Sequence, residues 1–288
     1  MRIGALEAGG TKMVLAIGDE NGNVFEQRSI PTLTPAETMP EMISYFKEKE
    51  IEALGIGCFG PVCLDEEDDK YGYITTTPKL AWRDYPIVSE FKKALNVPIG
   101  FDTDVNGSCL GEATFGSAKG LKDVIYITIG TGIGAGIMTG GKLLHGNLHP
   151  EAGHMLLKRH PRDTYKGKCP YHGDCFEGLA AGPAIEERWG MSAKEIPEGH
   201  EAMDMEAWYI AQALMTYILV LAPEKIILGG GVMHRKELFP LIRKYVKEFI
   251  AGYVTTKELD DMDNYIVSAS LNDDQGIMGC LVLGRDAR

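Results

Sequence analysis

The chain has 288 residues, 44% hydrophobic and 24% charged, with a formal net charge of -12. That length supports a real core in one large domain or two medium ones. The acidic balance argues against nonspecific binding to nucleic acid or to an anionic membrane, and no block of lysine and arginine offsets it. The N-terminus shows no basic segment leading into an apolar one, and the most apolar stretch, 213–222, is too short to span a bilayer. Six cysteines are sparse for this length; a cytoplasmic setting with reduced thiols is expected.

Residues 2–6 and 13–17 read as strands flanking the turn Gly9-Gly10-Thr11-Lys12, and 23–30 as a third strand beyond the hairpin signal Asn21-Gly22. From 35 to 49, Met39, Met42, Ile43 and Phe46 share one face of a helix. Residues 53–58 form a nearly continuous apolar run, as a strand buried on both faces would, and end in the turn Phe59-Gly60-Pro61. A helix over 87–95 and a strand over 97–101 lead to Asp102-Thr103-Asp104, and the small residues of 106–115 suit a helix packed tightly on that sheet. The second half starts in the same style. A β-branched strand over 123–129 enters Gly130-Thr131-Gly132-Ile133-Gly134, and a strand over 135–139 turns at Gly140-Gly141. After a Cys/His-rich insert come a helix (205–221), a strand (225–228), a helix around Leu238 to Phe249, a strand (265–268) and a last helix near 275–283. This weak duplication predicts two like α/β domains with a cleft between them, divided near 116–121.

Two familiar nucleotide motifs fail. The glycines from Gly130 to Gly136 alternate strictly, unlike the dinucleotide fingerprint, and Leu143 stands where a Walker A loop needs a hydroxyl. What remains is three glycine loops, each after a strand: Gly9-Gly10-Thr11-Lys12, Gly130-Thr131-Gly132, and Gly229-Gly230-Gly231-Val232. Bare backbone N–H groups in such loops suit phosphate oxygens, and the third lets a base and ribose lie against backbone. Asp104, at a strand-to-helix junction, is either a helix cap or a base that accepts a hydroxyl proton, with Asp102 as its competitor. Cys169-Pro170-Tyr171-His172-Gly173-Asp174-Cys175 puts three soft ligands on one loop. His154 would complete a closed tetrahedral zinc site; a disulfide between Cys169 and Cys175 is the alternative.

These loops at these intervals resemble the sugar-kinase, heat-shock-protein and actin superfamily. Glu7-Ala8-Gly9-Gly10-Thr11-Lys12, Phe59-Gly60-Pro61, Tyr71-Gly72-Tyr73-Ile74, Thr77-Pro78-Lys79 and Asp104-Val105-Asn106 followed by Leu110-Gly111-Glu112 narrow the resemblance to the ROK family of sugar kinases, in its zinc-containing fructokinase branch. The resemblance spans nearly the whole chain. It implies two actin-like (ribonuclease H-like) ATPase domains with an interdomain cleft. The first would cover 1–118, with the helix at about 275–288 able to pack back on it, and the second 119–288, with a small zinc-binding insert at about 151–177. The implied reaction is ATP-dependent conversion of fructose to fructose 6-phosphate with Mg²⁺, and Asp104 as catalytic base. ATP would meet Gly9, Gly10, Thr11, Lys12, Thr131, Gly132, Pro183, Gly230, Gly231 and Val232. The sugar would meet Gly60, Lys79, Thr103, Asp104, Glu151, His154 and Glu177, and a structural Zn²⁺ would be held by His154, Cys169, His172 and Cys175. Thr103 departs from the family's usual asparagine, and His172 from a more common Cys-x-Cys pair. A homodimer is implied as the assembly. His145, His149, His160, His200 and His234 are read as ordinary histidines. Mannose or glucose is the nearest alternative hexose. A sugar-responsive repressor lacking its DNA-binding domain and an actin-like ATPase are the rivals from other classes.

Overall fold

The computed structural model describes residues 1–287. Its first sheet begins as an antiparallel meander of β1 (Ile3–Ala8), β2 (Lys12–Gly18) and β3 (Val24–Pro31). The first two strands are buried on both faces, while β3 is an exposed edge. Helix α1 (Pro35–Glu48) opens with a capping box in which Thr34 and Glu37 satisfy each other's backbone N–H groups. It returns the chain to β4 (Ala53–Cys58), parallel to β1, and α2 (Ile87–Leu95) returns it to β5 (Ile99–Thr103), parallel to β4. The order is β3-β2-β1-β4-β5. One face of the sheet is covered by Met39, Met42, Phe46 and Phe91 from α1 and α2. Helix α3 (Asp104–Thr114) follows β5 without a loop.

The second sheet repeats that connectivity. Strands β6 (Val124–Ile129) and β7 (Ile133–Thr139) form a hairpin and β8 (Lys142–Leu143) its edge; β9 (Lys225–Gly229) and β10 (Ile266–Ser268) add in parallel on the other side. The order is β10-β9-β6-β7-β8, which matches the first sheet strand for strand. Helices α4 (Phe176–Ala180), α5 (Gly182–Trp189), α6 (Glu201–Leu221) and α7 (Leu238–Ile250) and two single turns, α8 (Lys257–Asp260) and α9 (Met262–Tyr265), complete this half. No helix among the described residues is long and apolar enough to cross a membrane. The chain separates into two compact units. One comprises Met1–Gly120, Leu143–Pro150 and the segment from Ser270 onward; the other comprises Leu121–Lys142 and Glu151–Ala269. The short strap Leu143–Pro150, which the sequence reading left with the second half, thus groups with the first.

The last helix, α10 (Gln275–Asp286), closes the uncovered face of the first sheet through Ile277, Cys280 and Leu281, which pack on Ala5, Val14 and Ala16. It approaches almost backbone to backbone. A Cβ on Gly55 would stand 1.7 Å from the carbonyl oxygen of Cys280, one on Gly111 2.2 Å from that of Gln275, and one on Gly279 1.7 Å from that of Gly107. Glycine is therefore required on both sides of the contact. Gly55→Ala is expected to force α10 off the sheet and cost about 3 kcal/mol, the upper range of overpacking penalties, read as a lower urea midpoint with an unchanged m-value.

Candidate active site

In the first unit, β1, β4 and β5 stop in register, with Ala8 opposite Cys58 and Cys58 opposite Thr103. Gly9, Phe59 and Asp104 therefore leave the sheet at one edge, the carboxyl end of parallel strands where α/β sheets bind ligands. Asp104 and Gly9 are two strand spacings apart, roughly 10 Å. The loop between β1 and β2 is closed by Gly9 N–H donating to the Lys12 carbonyl at 3.0 Å, and by the Thr32 hydroxyl donating to the Gly9 carbonyl at 2.7 Å. A Cβ on Gly9 would stand 2.7 Å from that same Lys12 oxygen, so only glycine permits so tight a loop. Thr11 and Lys12 are exposed at its tip. Lys79 comes to this loop as well, its Cε 3.2 Å from where Gly10 would carry a Cβ.

Asp104 is partly buried, and its Oδ1 accepts the Val105 N–H at 2.9 Å. Burial pushes its carboxyl up to about 6, against the pull of that backbone N–H. Glu7, on β1 next to the loop, is pushed up to about 7 by burial and then by the charge of Asp104, with Lys12 opposing. Its carboxyl carbon lies 2.5 Å from where Gly276, in the first turn of α10, would carry a Cβ. Glu7 is absent from the site residues expected from sequence, although it opens the Glu7–Lys12 motif that carries the family resemblance; the structure places it inside β1. Thr103 is 3% exposed, and its hydroxyl accepts the Asn106 N–H at 3.1 Å as the N-cap of α3. Asp102, the rival base, is wholly engaged. Its carboxylate accepts from Thr103 N–H and Asn106 Nδ2, each at 2.7 Å, and meets His145 Nε2 at 2.9 Å.

The second unit gathers the remaining groups around the β6–β7 loop. Gly130 N–H donates to the Gly132 carbonyl at 2.9 Å, and Gly182 N–H to the Gly130 carbonyl at 2.7 Å, so Pro183 in the first turn of α5 borders this loop. A Cβ on Gly130 would stand 3.8 Å from the Gly231 nitrogen, which brings the Gly230-Gly231-Val232 loop to the same place. Gly230 itself has φ +87° and would drive a Cβ to 2.5 Å from the Ile129 carbonyl. Glu177 Oε2 accepts the Ile133 N–H at 2.9 Å and so braces the loop that carries Thr131 and Gly132. The turn Ala152–His154, which follows Glu151, lies flat on β7, where Gly153 would place a Cβ 1.8 Å from the Ile133 carbonyl.

Beside that turn, His154, Cys169, His172 and Cys175 bring one ligand atom each to within 4.8 Å of one another. His154 Nδ1 is 3.8 Å from Cys169 Sγ and 3.6 Å from Cys175 Sγ, and His172 Nδ1 is 3.6 Å from Cys169 Sγ. Ordinary zinc–sulfur and zinc–nitrogen bonds at tetrahedral angles give an S···N edge of about 3.6 Å, so the donor set fits that ion. All six cysteines are free thiols, so Cys169 and Cys175 are not bridged.

The sequence pattern of the ROK family matches residues 3–287. The chain belongs to the ROK family. Among curated relatives of this ROK protein, one from Bacillus subtilis (strain 168) is 52% identical over 286 residues, covering 99% of this chain and 96% of its own length. The fructokinase of Pediococcus pentosaceus is 46% identical over 287 residues, covering 100% of this chain and 99% of its own. Among solved structures, the ROK family glucokinase of Streptomyces griseus in complex with glucose and AMPPNP superposes with a TM-score of 0.77 at 23% identity, covering 99% of both chains. The α/β two-sheet architecture is thus that of ROK sugar kinases.

Proposed function

We propose that this chain is an ATP-dependent fructokinase that moves the γ-phosphoryl group of ATP to the 6-hydroxyl of D-fructose. The observation that carries the reading is Asp104: a carboxyl at the end of β5, in register with the strand that opens the Gly9–Lys12 loop, in a chain aligned end to end with a fructokinase. The nucleotide and glucose of the Streptomyces griseus structure support the same pair of ligands here in kind, ATP and a hexose.

In this mechanism the Asp104 carboxylate accepts a hydrogen bond from the sugar's O6–H and takes that proton as O6 attacks the γ-phosphorus. The bond between the γ-phosphorus and its bridging oxygen breaks, and ADP leaves with the bond's electrons. The Lys12 ammonium, the hydroxyls of Thr11 and Thr131 and the N–H groups of Gly9, Gly10 and Gly132 hold phosphate oxygens, while Pro183, Gly230, Gly231 and Val232 border the nucleoside. Glu151 and Glu177 accept sugar hydroxyls and His154, whose Nδ1 faces the cysteine sulfurs, donates its Nε2–H to a sugar oxygen, with Gly60, Thr103 and Lys79 lining the sugar; Lys79, beside Gly10, can turn its ammonium to the incoming phosphoryl group. Mg²⁺ arriving with ATP would supply positive charge to the phosphates. His154, Cys169, His172 and Cys175 hold a closed structural Zn²⁺, which fixes the turn carrying Glu151 and the helix carrying Glu177. The setting in this reading is the cytoplasm, with the protein as a homodimer.

A coupled assay of ADP release over a sugar panel tests the activity: fructose should be turned over with ATP, and Asp104→Asn should lose at least ~10³-fold in kcat while still binding fructose in calorimetry. Normal turnover in that variant would remove the base assignment. Because the Asp104 carboxyl titrates near 6 and acts as its anion, kcat/KM for fructose should rise with pH through that range and level off above it. A profile flat down to pH 5 would contradict this. Elemental analysis of the purified protein should find one zinc per chain; Cys175→Ser should lose it together with several degrees of Tm, whereas a full zinc complement in that variant would discard the ligand set.

A further inference from the structure

The strap Leu143–Pro150 brings two histidines to the ligand-binding edge of the first sheet. His149 is buried, and its Nε2 accepts the Val62 N–H at 3.1 Å, just beyond the Gly60-Pro61 turn that ends β4. Burial lowers the pKa of its ring, which suits an acceptor nitrogen. His145 reaches the next strand end. Its Nε2 is 2.9 Å from Asp102 Oδ2 and 3.5 Å from Asn106 Nδ2, both on residues that are nearly inaccessible. The carboxylate is held from behind by Thr103 N–H and Asn106 Nδ2, so it fixes both the ring plane and the tautomer of His145.

A staple needs no more than that, yet the His145 side chain remains 41% exposed against 4% for Asp102. With Nε2 committed, Nδ1 has no partner among the described residues. The pair with Asp102 raises the pKa of the ring, so Nδ1 can donate as well as accept near neutral pH. A rigid imidazole, half open to solvent and anchored two residues before Asp104, has the build of a ligand group. Its position selects the ligand. The strap lies over the ends of β4 and β5, which carry Gly60 and Asp104, whereas the Gly9–Lys12 loop belongs to β1.

We propose that His145, oriented by Asp102, contacts a hydroxyl of the acceptor hexose through Nδ1 and contributes to the choice of hexose. The inference rests on the reading of Asp104 as the base that serves that sugar. His149 then sets the height of the strap, and Asp102, passed over as the base, acts as a positioning residue.

The discriminating variant is His145→Gln, whose amide nitrogen can still donate to Asp102 as Nε2 does but which has nothing at the position of Nδ1. Its Tm should stay at the wild-type value, its KM for fructose should rise about tenfold, the loss expected for one hydrogen bond, and its KM for MgATP should stay within twofold. Its ratio of kcat/KM for fructose over mannose should also move. His145→Asn, which returns a polar atom near Nδ1, should recover part of the fructose KM. Asp102→Asn, which leaves the ring present but unoriented, should shift fructose KM in the same direction as His145→Gln. An unchanged fructose KM and hexose ratio in a folded His145→Gln would reduce His145 to a staple and overturn the proposal. If His145→Gln does not fold, an Asp102→Asn protein that folds with unchanged fructose KM overturns it equally. A wild-type protein that phosphorylates no hexose, or an Asp104→Asn variant with full turnover, would instead defeat the underlying kinase reading.

Discussion

The alignment of three parallel strand ends is the constraint on which the site depends. Ala8, Cys58 and Thr103 sit side by side because β1, β4 and β5 pair without a register slip. A one-residue shift in either ladder would turn Glu7 or Asp104 to the opposite face. The helix α10 secures that register from behind. Its carbonyl oxygens at Gln275 and Cys280 press into glycines of α3 and β4, and Gly276 leaves room for the Glu7 carboxyl. The last residues of the chain therefore hold the geometry of the first ones, and two carboxyls that repel each other are kept at one sheet edge.

Much of this was legible in the sequence because local pattern and burial agree. The all-apolar run Ala53–Cys58 is β4 without adjustment, and the amphipathic spacing from Ile87 to Leu95 is α2. The four zinc-type ligands were legible for a similar reason: three of them lie within seven consecutive residues, so local chain geometry alone brings them together. Elsewhere polar chemistry hid the boundary. Helix α6 starts at Glu201, before the apolar stripe, because the His200 ring accepts the Ala202 N–H as a cap. Helix α5 opens on Gly182-Pro183, a pair that looks like a turn, yet proline there occupies the first turn, where its missing N–H costs nothing.

What the sequence could not reveal was non-local. Residues 143–150 sit between elements of the second sheet along the chain, and nothing in their composition says that they dock on Asp102 and Val62. His145 and His149 look ordinary because a histidine acquires meaning from what faces it, and both partners lie at least 39 residues away in sequence. Asp102 and Asp104 are equivalent by residue type and separated by one position. Apart from the family motif that begins at Asp104, the hydrogen-bond inventory distinguishes them: the Asp102 carboxylate has three partners, whereas Asp104 accepts the Val105 N–H.

The exchange of segments between the two halves has a further consequence for how the molecule can be divided. A fragment ending at residue 120 would carry the Gly9–Lys12 loop and Asp104 but would lack the helix that covers one face of its sheet, leaving Ala5, Val14 and Ala16 open to water. It would also lack His145, leaving Asp102 with only its contacts to Thr103 N–H and Asn106 Nδ2. Despite the repeated connectivity of its two sheets, this protein is not a pair of separable modules. Its first sheet is covered on both faces only when Ile277, Cys280 and Leu281, more than 150 residues further along the chain than α3, pack on it.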